Sequence, residues 1–232
     1  MKNIFIASVH PKSGQTTITL NLASGLVREG YRVLIIDIGH NEKLYNWLGI
    51  NYEQDNKINN SDDIIKAINT SLLGIDWINM PRKSKDIHHL ADFLPKLEQD
   101  YDYLLIIPTS KSDCNLLNEL SAHVLLCSDL SHNNEVADII SINKYLNETL
   151  GLKKSISLLV FNKINTKEWE HNTEQIFELA DYLGYEKMAD PIPYCERIHD
   201  LQLEKHTIWE LSQKNLQAAF MSLIETVVSL QI

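Results

Sequence analysis

Residues 10–17 read His10-Pro11-Lys12-Ser13-Gly14-Gln15-Thr16-Thr17, and their types and spacing could cradle a phosphate. A glycine followed two residues later by a hydroxyl, at the mouth of a helix, offers backbone N–H groups to an anion. The full phosphate-loop pattern is G-x-x-x-x-G-K-[ST], whose lysine reaches the β/γ-phosphates and whose hydroxyl holds Mg²⁺. Gly14 and Thr16 fill the last glycine and the hydroxyl, but Gln15 stands where the lysine belongs. The chemistry expected of that pattern is thus present in outline and short of one cation. Thr16 and Thr17 equally suit an N-cap and first turn with no ligand.

Such a loop must be held between a strand and a helix. Ile4, Phe5, Ile6, Ala7 and Val9 predict a strand over 3–9, and the apolar period after Thr16 predicts a helix over 16–29. Further strands are predicted at 32–38, 75–79, 103–108, 123–128 and 156–162. Runs such as Val33-Leu34-Ile35-Ile36 and Leu104-Leu105-Ile106-Ile107 are continuous rather than alternating, which implies burial on both faces. Helices are predicted at 43–48, 61–70, 86–98, 112–121, 133–150, 168–183 and 211–229, and Asn51–Asn60 reads as a polar loop. Strands alternating with helices give an α/β fold, a three-layer, doubly wound, mostly parallel sheet, with residues 1–232 as one domain.

Composition narrows the function. The net charge of −10 argues against DNA as a partner, because phosphate contacts need clustered Lys and Arg. Lys153-Lys154 is the only adjacent pair of lysines and suits a solvated loop. Cys114, Cys127 and Cys195 are widely spaced, which fits buried thiols in a reducing cytoplasm and neither a zinc site nor an iron–sulfur cluster. A secretory signal and an apolar run of about 20 residues are both missing, so the expected location is cytoplasmic. The stretch Leu216–Ile232 is amphipathic, but it carries Glu225 and no base after Lys214, which argues for a packed final helix over membrane targeting. His88-His89 lack a second metal-spaced cluster, and His10 has no accompanying nucleophile.

Five motifs in order resemble the ParA/MinD family of deviant P-loop ATPases, over essentially the whole chain. The family loop reads N-P-K-G-G-x-G-K-T-T. With two glycines deleted, Lys12 keeps the signature lysine that acts across a dimer; without a gap, His10 takes that position. Asp37-Ile38-Gly39-His40-Asn41-Glu42-Lys43-Leu44-Tyr45-Asn46-Trp47-Leu48-Gly49 is similar to D-x-D-P-Q-x-S-L-x-x-W-L-G, with Gly39 replacing the water-side aspartate. Tyr101–Ser110 resembles Y-D-x-I-I-I-D-T-P-x, with Pro108 in place of the Walker-B-like aspartate. Phe161-Asn162-Lys163 matches the strand end whose Asn reads adenine. Ile192-Pro193, Arg197 and Ile208-Trp209-Glu210 follow the family's segment near the base.

The resemblance implies a P-loop NTPase-like fold and, if nucleotide handling is retained, a site for ATP or ADP with Mg²⁺. Its residues would be Lys12, Ser13, Gly14, Gln15, Thr16, Thr17, Asn162 and Pro193 around the nucleotide, with Thr16 and Asp37 on the metal. Lys12 and Asp37 would carry any catalysis, although Asp37 could as well cap nearby amides. Three charged groups are lost together, and phosphoryl transfer depends on positioning and charge stabilisation. The expected function is therefore a partner-binding or positioning scaffold with lost or much reduced ATP binding and hydrolysis. The alternative is a slow, dimerising ATPase. The partners implied are another protein, an active paralogue or a second copy of the chain.

Overall fold

The computed structural model describes residues 1–38, 41–50, 65–80, 90–108, 113, 116–149, 155–165 and 168–231. Its strands are β1 (Lys2–Ser8), β2 (Val33–Asp37), β3 (Asn69–Thr70), β4 (Asp76–Asn79), β5 (Tyr103–Ile107), β6 (His123–Ser128) and β7 (Leu158–Phe161). They form one sheet in the order β3-β4-β2-β5-β1-β6-β7. Every pairing is parallel except β3 with β4. In the centre, β1 lies between β5 and β6, with Ile4 opposite Leu105 and Phe5 opposite Val124.

The continuous apolar runs have a direct structural cause. Successive side chains point to opposite faces, so Ile4 and Ile6 enter one core while Phe5 enters the other. The first core is closed by α1 (Gln15–Arg28), α2 (Glu42–Leu48), α7 (Ile198–Glu204) and α8 (Lys214–Ser229). The second is closed by α3 (Leu90–Asp100), α4 (Leu116–Glu119), α5 (Glu135–Lys144) and α6 (Trp169–Leu183). Each buried Leu, Ile or Phe contributes about 1.5–3 kcal/mol, so two full cores hold the sheet rim rigid beneath the loop.

Two features depart from the sequence reading. The predicted helix over 61–70 fails at its end: Asn69–Thr70 is an edge strand, and only residues 65–67 are helical among those described. A tight turn wins there. Gly74 adopts φ 70 and donates to Ser71, and the Thr70 hydroxyl donates to Asp76 at 2.5 Å. The second departure is α7 and the one-turn 3-10 helix Ile208–Glu210, which periodicity did not predict. Thr207 and Glu210 close a capping box over that turn, a T-x-x-E signature readable in the sequence. Predicted features at Asn51–Asn60, His88-His89, Cys114 and Lys153-Lys154 lie outside the described residues. Cys127 and Cys195 are buried free thiols, and burial pushes the Cys127 thiol well up. Among the described residues no helix is long and apolar enough to cross a membrane.

Helix α8 packs on α1, burying Leu216, Phe220, Leu223, Ile224 and Val227. The contact is close because α1 carries Gly25 beneath it. A Cβ at Gly25 would stand 2.2 Å from Ile224 Cδ1 and 2.7 Å from Trp209 Cζ2. Buried Asn21 pins the neighbouring turn, accepting from the Ile208 N–H at 2.9 Å and donating to Thr17 O at 2.8 Å. Helix propensity favours valine over a mid-helix glycine by only about 0.3 kcal/mol, while overpacking a filled core costs about 1–3 kcal/mol. Gly25→Val should therefore lower the melting temperature by roughly 2–10 °C. Thermal unfolding of the variant beside the native chain checks this, and an unchanged or raised value would contradict the packing.

Candidate functional site

The loop begins where β1 leaves the sheet. The Val9 N–H still donates to Cys127 O of β6 at 2.9 Å, so the rim stays paired to the last residue before the turn. The turn closes with Ser13 N–H donating to His10 O. Lys12 adopts φ 73 and Gly14 φ 102, both in the left-handed region that glycine takes freely. Gly14 serves as the N-cap of α1 without a side-chain cap bond. Among the described residues the N–H groups of Gln15, Thr16 and Thr17 have no hydrogen-bond partner, so they remain open to an anion.

Gln15 does not project into that cradle. Its carboxamide turns back to the sheet and donates to Ile6 O at 2.7 Å and, at 3.5 Å, to Pro108 O at the end of β5. Pro108 supplies no carboxylate there, only this carbonyl.

Asn162 and Lys163, at the end of β7, grip the loop backbone. Asn162 is buried and donates from Nδ2 to Ser13 O at 3.1 Å, with its own N–H on Ser128 O at 2.7 Å. The fit is close enough that a Cβ on Gly14 would lie 1.8 Å from Asn162 Nδ2. Lys163 donates to Lys12 O in a short contact and pairs with Asp129 at 2.9 Å. Burial pushes the Asp129 carboxyl up, but hydrogen bonds from Ser131 and Lys163 outweigh it and hold the carboxyl below its ordinary value. Lys12 itself is exposed.

On the other side of α1, Asp37 is fully buried and its Oδ2 accepts from the Asn41 N–H at 2.7 Å and, in a short contact, from the Tyr45 hydroxyl. Asn41 also donates from Nδ2 to Thr16 Oγ1 at 2.9 Å and caps α2 by accepting from Leu44 N–H. Thr16 and Asp37 are thus brought together through Asn41. Asn41 and Tyr45 were missed by the sequence reading, although an asparagine directly before a helix signals the cap. His10 turns away from Asp37: its Nε2 lies 3.1 Å from Asp138 Oδ2 on α5, and its ring packs edge-on against His132 at 4.1 Å. Arg197, at the N-cap of α7, is exposed and faces Asp200 and Glu204. Gly39 lies outside the described residues.

Two cavities flank the loop. One, of about 220 Å³, brings together Thr17, Asn162, Lys163, Pro193, Tyr194 and Cys195. The other, of about 570 Å³, lies across the strand ends against α5. No group of three or more His, Cys, Asp or Glu able to hold a metal occurs among the described residues.

Fold and loop together define an α/β domain of the P-loop type. The CobQ/CobB/MinD/ParA nucleotide binding domain family matches residues 4–208, and the chain belongs to that family. Its structure is similar to MinD in the MinC:MinD cell division protein complex of Aquifex aeolicus, with TM-score 0.72 and 18% identity over 100% of this chain and 98% of that one. It is also similar to the septum site-determining protein MinD of Pyrococcus horikoshii OT3, complexed with Mg-ADP, with TM-score 0.72 and 20% identity over 98% and 96% of the two chains. For apo McdA from Cyanothece the TM-score is 0.76 at 19% identity, over 98% and 99%. No curated protein matches the chain by sequence.

The residues present fit the two ends of a Mg-nucleotide unequally. Open N–H groups and the 220 Å³ cavity suit phosphate oxygens and a base. The metal and phosphate charges find less: Lys163 is engaged by Asp129, Gln15 is neutral, and Asp37 is already bonded to Asn41 and Tyr45.

The Asn162 contact generates a stability prediction. Removing the amide leaves Ser13 O without its donor, which costs about 1–3 kcal/mol. Asn162→Ala should lower the melting temperature of the ligand-free protein by roughly 2–10 °C; a side chain that served only a ligand would leave it unchanged. The Asp129 shift gives a pH signature. A depressed carboxyl stabilises above its unfolded value near 4 and loses that contribution as pH falls through the folded value. The stability deficit of Asp129→Asn, measured in urea, should therefore shrink as pH drops below about 4.

Proposed function

We propose that this chain is a degenerate member of its family that binds a protein partner or positions a cargo, with lost or much reduced ATP binding and hydrolysis. The carrying observation is the side chain of Gln15, a neutral group whose N–H atoms are spent on Ile6 O and Pro108 O. A charge-assisted hydrogen bond is worth about 1.5–3 kcal/mol, so replacing the lysine weakens nucleotide by about ten- to a hundredfold. Catalysis falls further, because Pro108 offers no carboxylate and each preorganised stabilising contact is worth roughly 10²–10³ in rate.

The loop conformation supports the gapless alignment. Lys12 at φ 73 occupies a position where the family loop has glycine, and His10 then holds the signature position while facing Asp138. The signature position then carries His10, paired with Asp138, in place of a lysine, while Lys12 is an exposed side chain. Dimerisation, if it occurs, then rests on protein contacts, with a second copy or an active paralogue. MinD of Aquifex aeolicus is found with MinC, and a protein partner is the parallel drawn here.

A second reading, a slow ATPase that dimerises on ATP, is favoured by one observation. Thr17, Asn162 and Pro193 line a common cavity of about 220 Å³, where the resemblance places the base.

Phosphate release from Mg-ATP separates the readings. The native chain should stay at background, and Gln15→Lys should raise nucleotide affinity about ten- to a hundredfold without restoring turnover. Steady ATP turnover by the native chain, rising on dimerisation, would support the second reading and refute the first.

A further inference from the structure

The larger cavity, about 570 Å³, lies within the roughly 300–1,000 Å³ span of ligand pockets. It sits outside the carboxyl ends of β1, β5 and β6, the rim where open parallel sheets receive ligands. It is also on the other side of the loop from the 220 Å³ cavity, sharing none of its lining residues. Its walls are Phe5, Ala7 and Leu126 from the sheet and Ile142 and Leu146 from α5 and its continuation. That continuation, Tyr145–Thr149, is a π-helix, a rare turn that recurs at functional sites. The widened turn contributes Tyr145 and Leu146 to the wall.

The polar groups at the rim decide what the cavity would accept. Gln15 and Pro108 both line it, so the two positions where the resemblance expects a lysine and an aspartate present a neutral amide and an apolar ring. Asp37 lines it too, but its carboxylate is bonded to Asn41 and Tyr45. His10 is turned to Asp138. The Tyr145 hydroxyl has no hydrogen-bond partner among the described residues and remains available to a ligand. Among the described residues no lysine or arginine lines the walls, so an anionic ligand would lose its hydration without one of them to receive it.

We propose that this cavity binds an uncharged, mainly apolar small molecule, seated on the sheet rim against α5 and anchored by the Tyr145 hydroxyl. The inference shares the neutral Gln15 and Pro108 with the preceding reading, and otherwise stands on the cavity alone. A ligand there would touch the root of the loop through Gln15 and so report its presence to the α1 N-terminus.

The test uses the full chain and the neutral dye 1-N-phenylnaphthylamine, whose emission rises in apolar surroundings. Saturable one-to-one binding is expected. Ile142→Trp and Ala7→Leu, which fill the cavity from opposite walls, should each weaken it at least tenfold while circular dichroism reports a folded chain. Two filling variants guard against one failing to fold. Absence of saturable binding to the native chain, or equal binding by folded filled variants, would overturn the proposal. Neither outcome depends on nucleotide, so failure here leaves the ATP result standing, and ATP binding would leave the dye result standing.

Discussion

The structure around the loop depends on how the head of α1 satisfies the carbonyls at the sheet rim. Gln15 donates to Ile6 O on β1 and reaches Pro108 O just beyond β5, tying the helix to two adjacent strands. An amide can do this without charge and without a ligand. A lysine held there would bring a full positive charge into a half-buried rim, where it needs an anion to offset its desolvation. On the proposed reading, the glutamine ties the loop to the sheet without a ligand and leaves out the cation that would favour phosphate.

The rest of the site extends that self-sufficiency. Asn162 and Lys163 give their donors to two successive loop carbonyls, Ser13 O and Lys12 O. Asp37 takes Asn41 and Tyr45, and Thr16 takes Asn41. Side chains that the family resemblance assigns to base and metal, Asn162, Thr16 and Asp37, are engaged within the protein, while among the described residues the N–H groups of Gln15, Thr16 and Thr17 stay open. The two cores beneath the sheet keep this rim in place, because Ile4, Phe5 and Ile6 of β1 are all fully buried or nearly so.

Much of the fold was legible because burial on both faces writes itself into sequence as unbroken apolar runs, as at Leu104–Ile107. The edge was not. At Asn69–Thr70 the outcome depends on the Gly74 turn and the Thr70–Asp76 bond rather than on periodicity. The site was legible as a set of positions but not as a set of contacts. Nothing in the string Phe161-Asn162-Lys163 says that the amide turns onto Ser13 O, since that requires Gly14 at φ 102 and no Cβ in the way. The direction of His10, toward Asp138 on a helix more than a hundred residues away in sequence, was equally beyond local reading.

The central claim is that the loop is complete without nucleotide. Titration calorimetry of the purified chain with Mg-ATP and with Mg-ADP tests it most directly. The account predicts no saturable heat for either below about millimolar concentration, a binding free energy weaker than about 4 kcal/mol. One-to-one binding of Mg-ATP in the micromolar range would contradict it, because that requires phosphate contacts the engaged side chains do not supply.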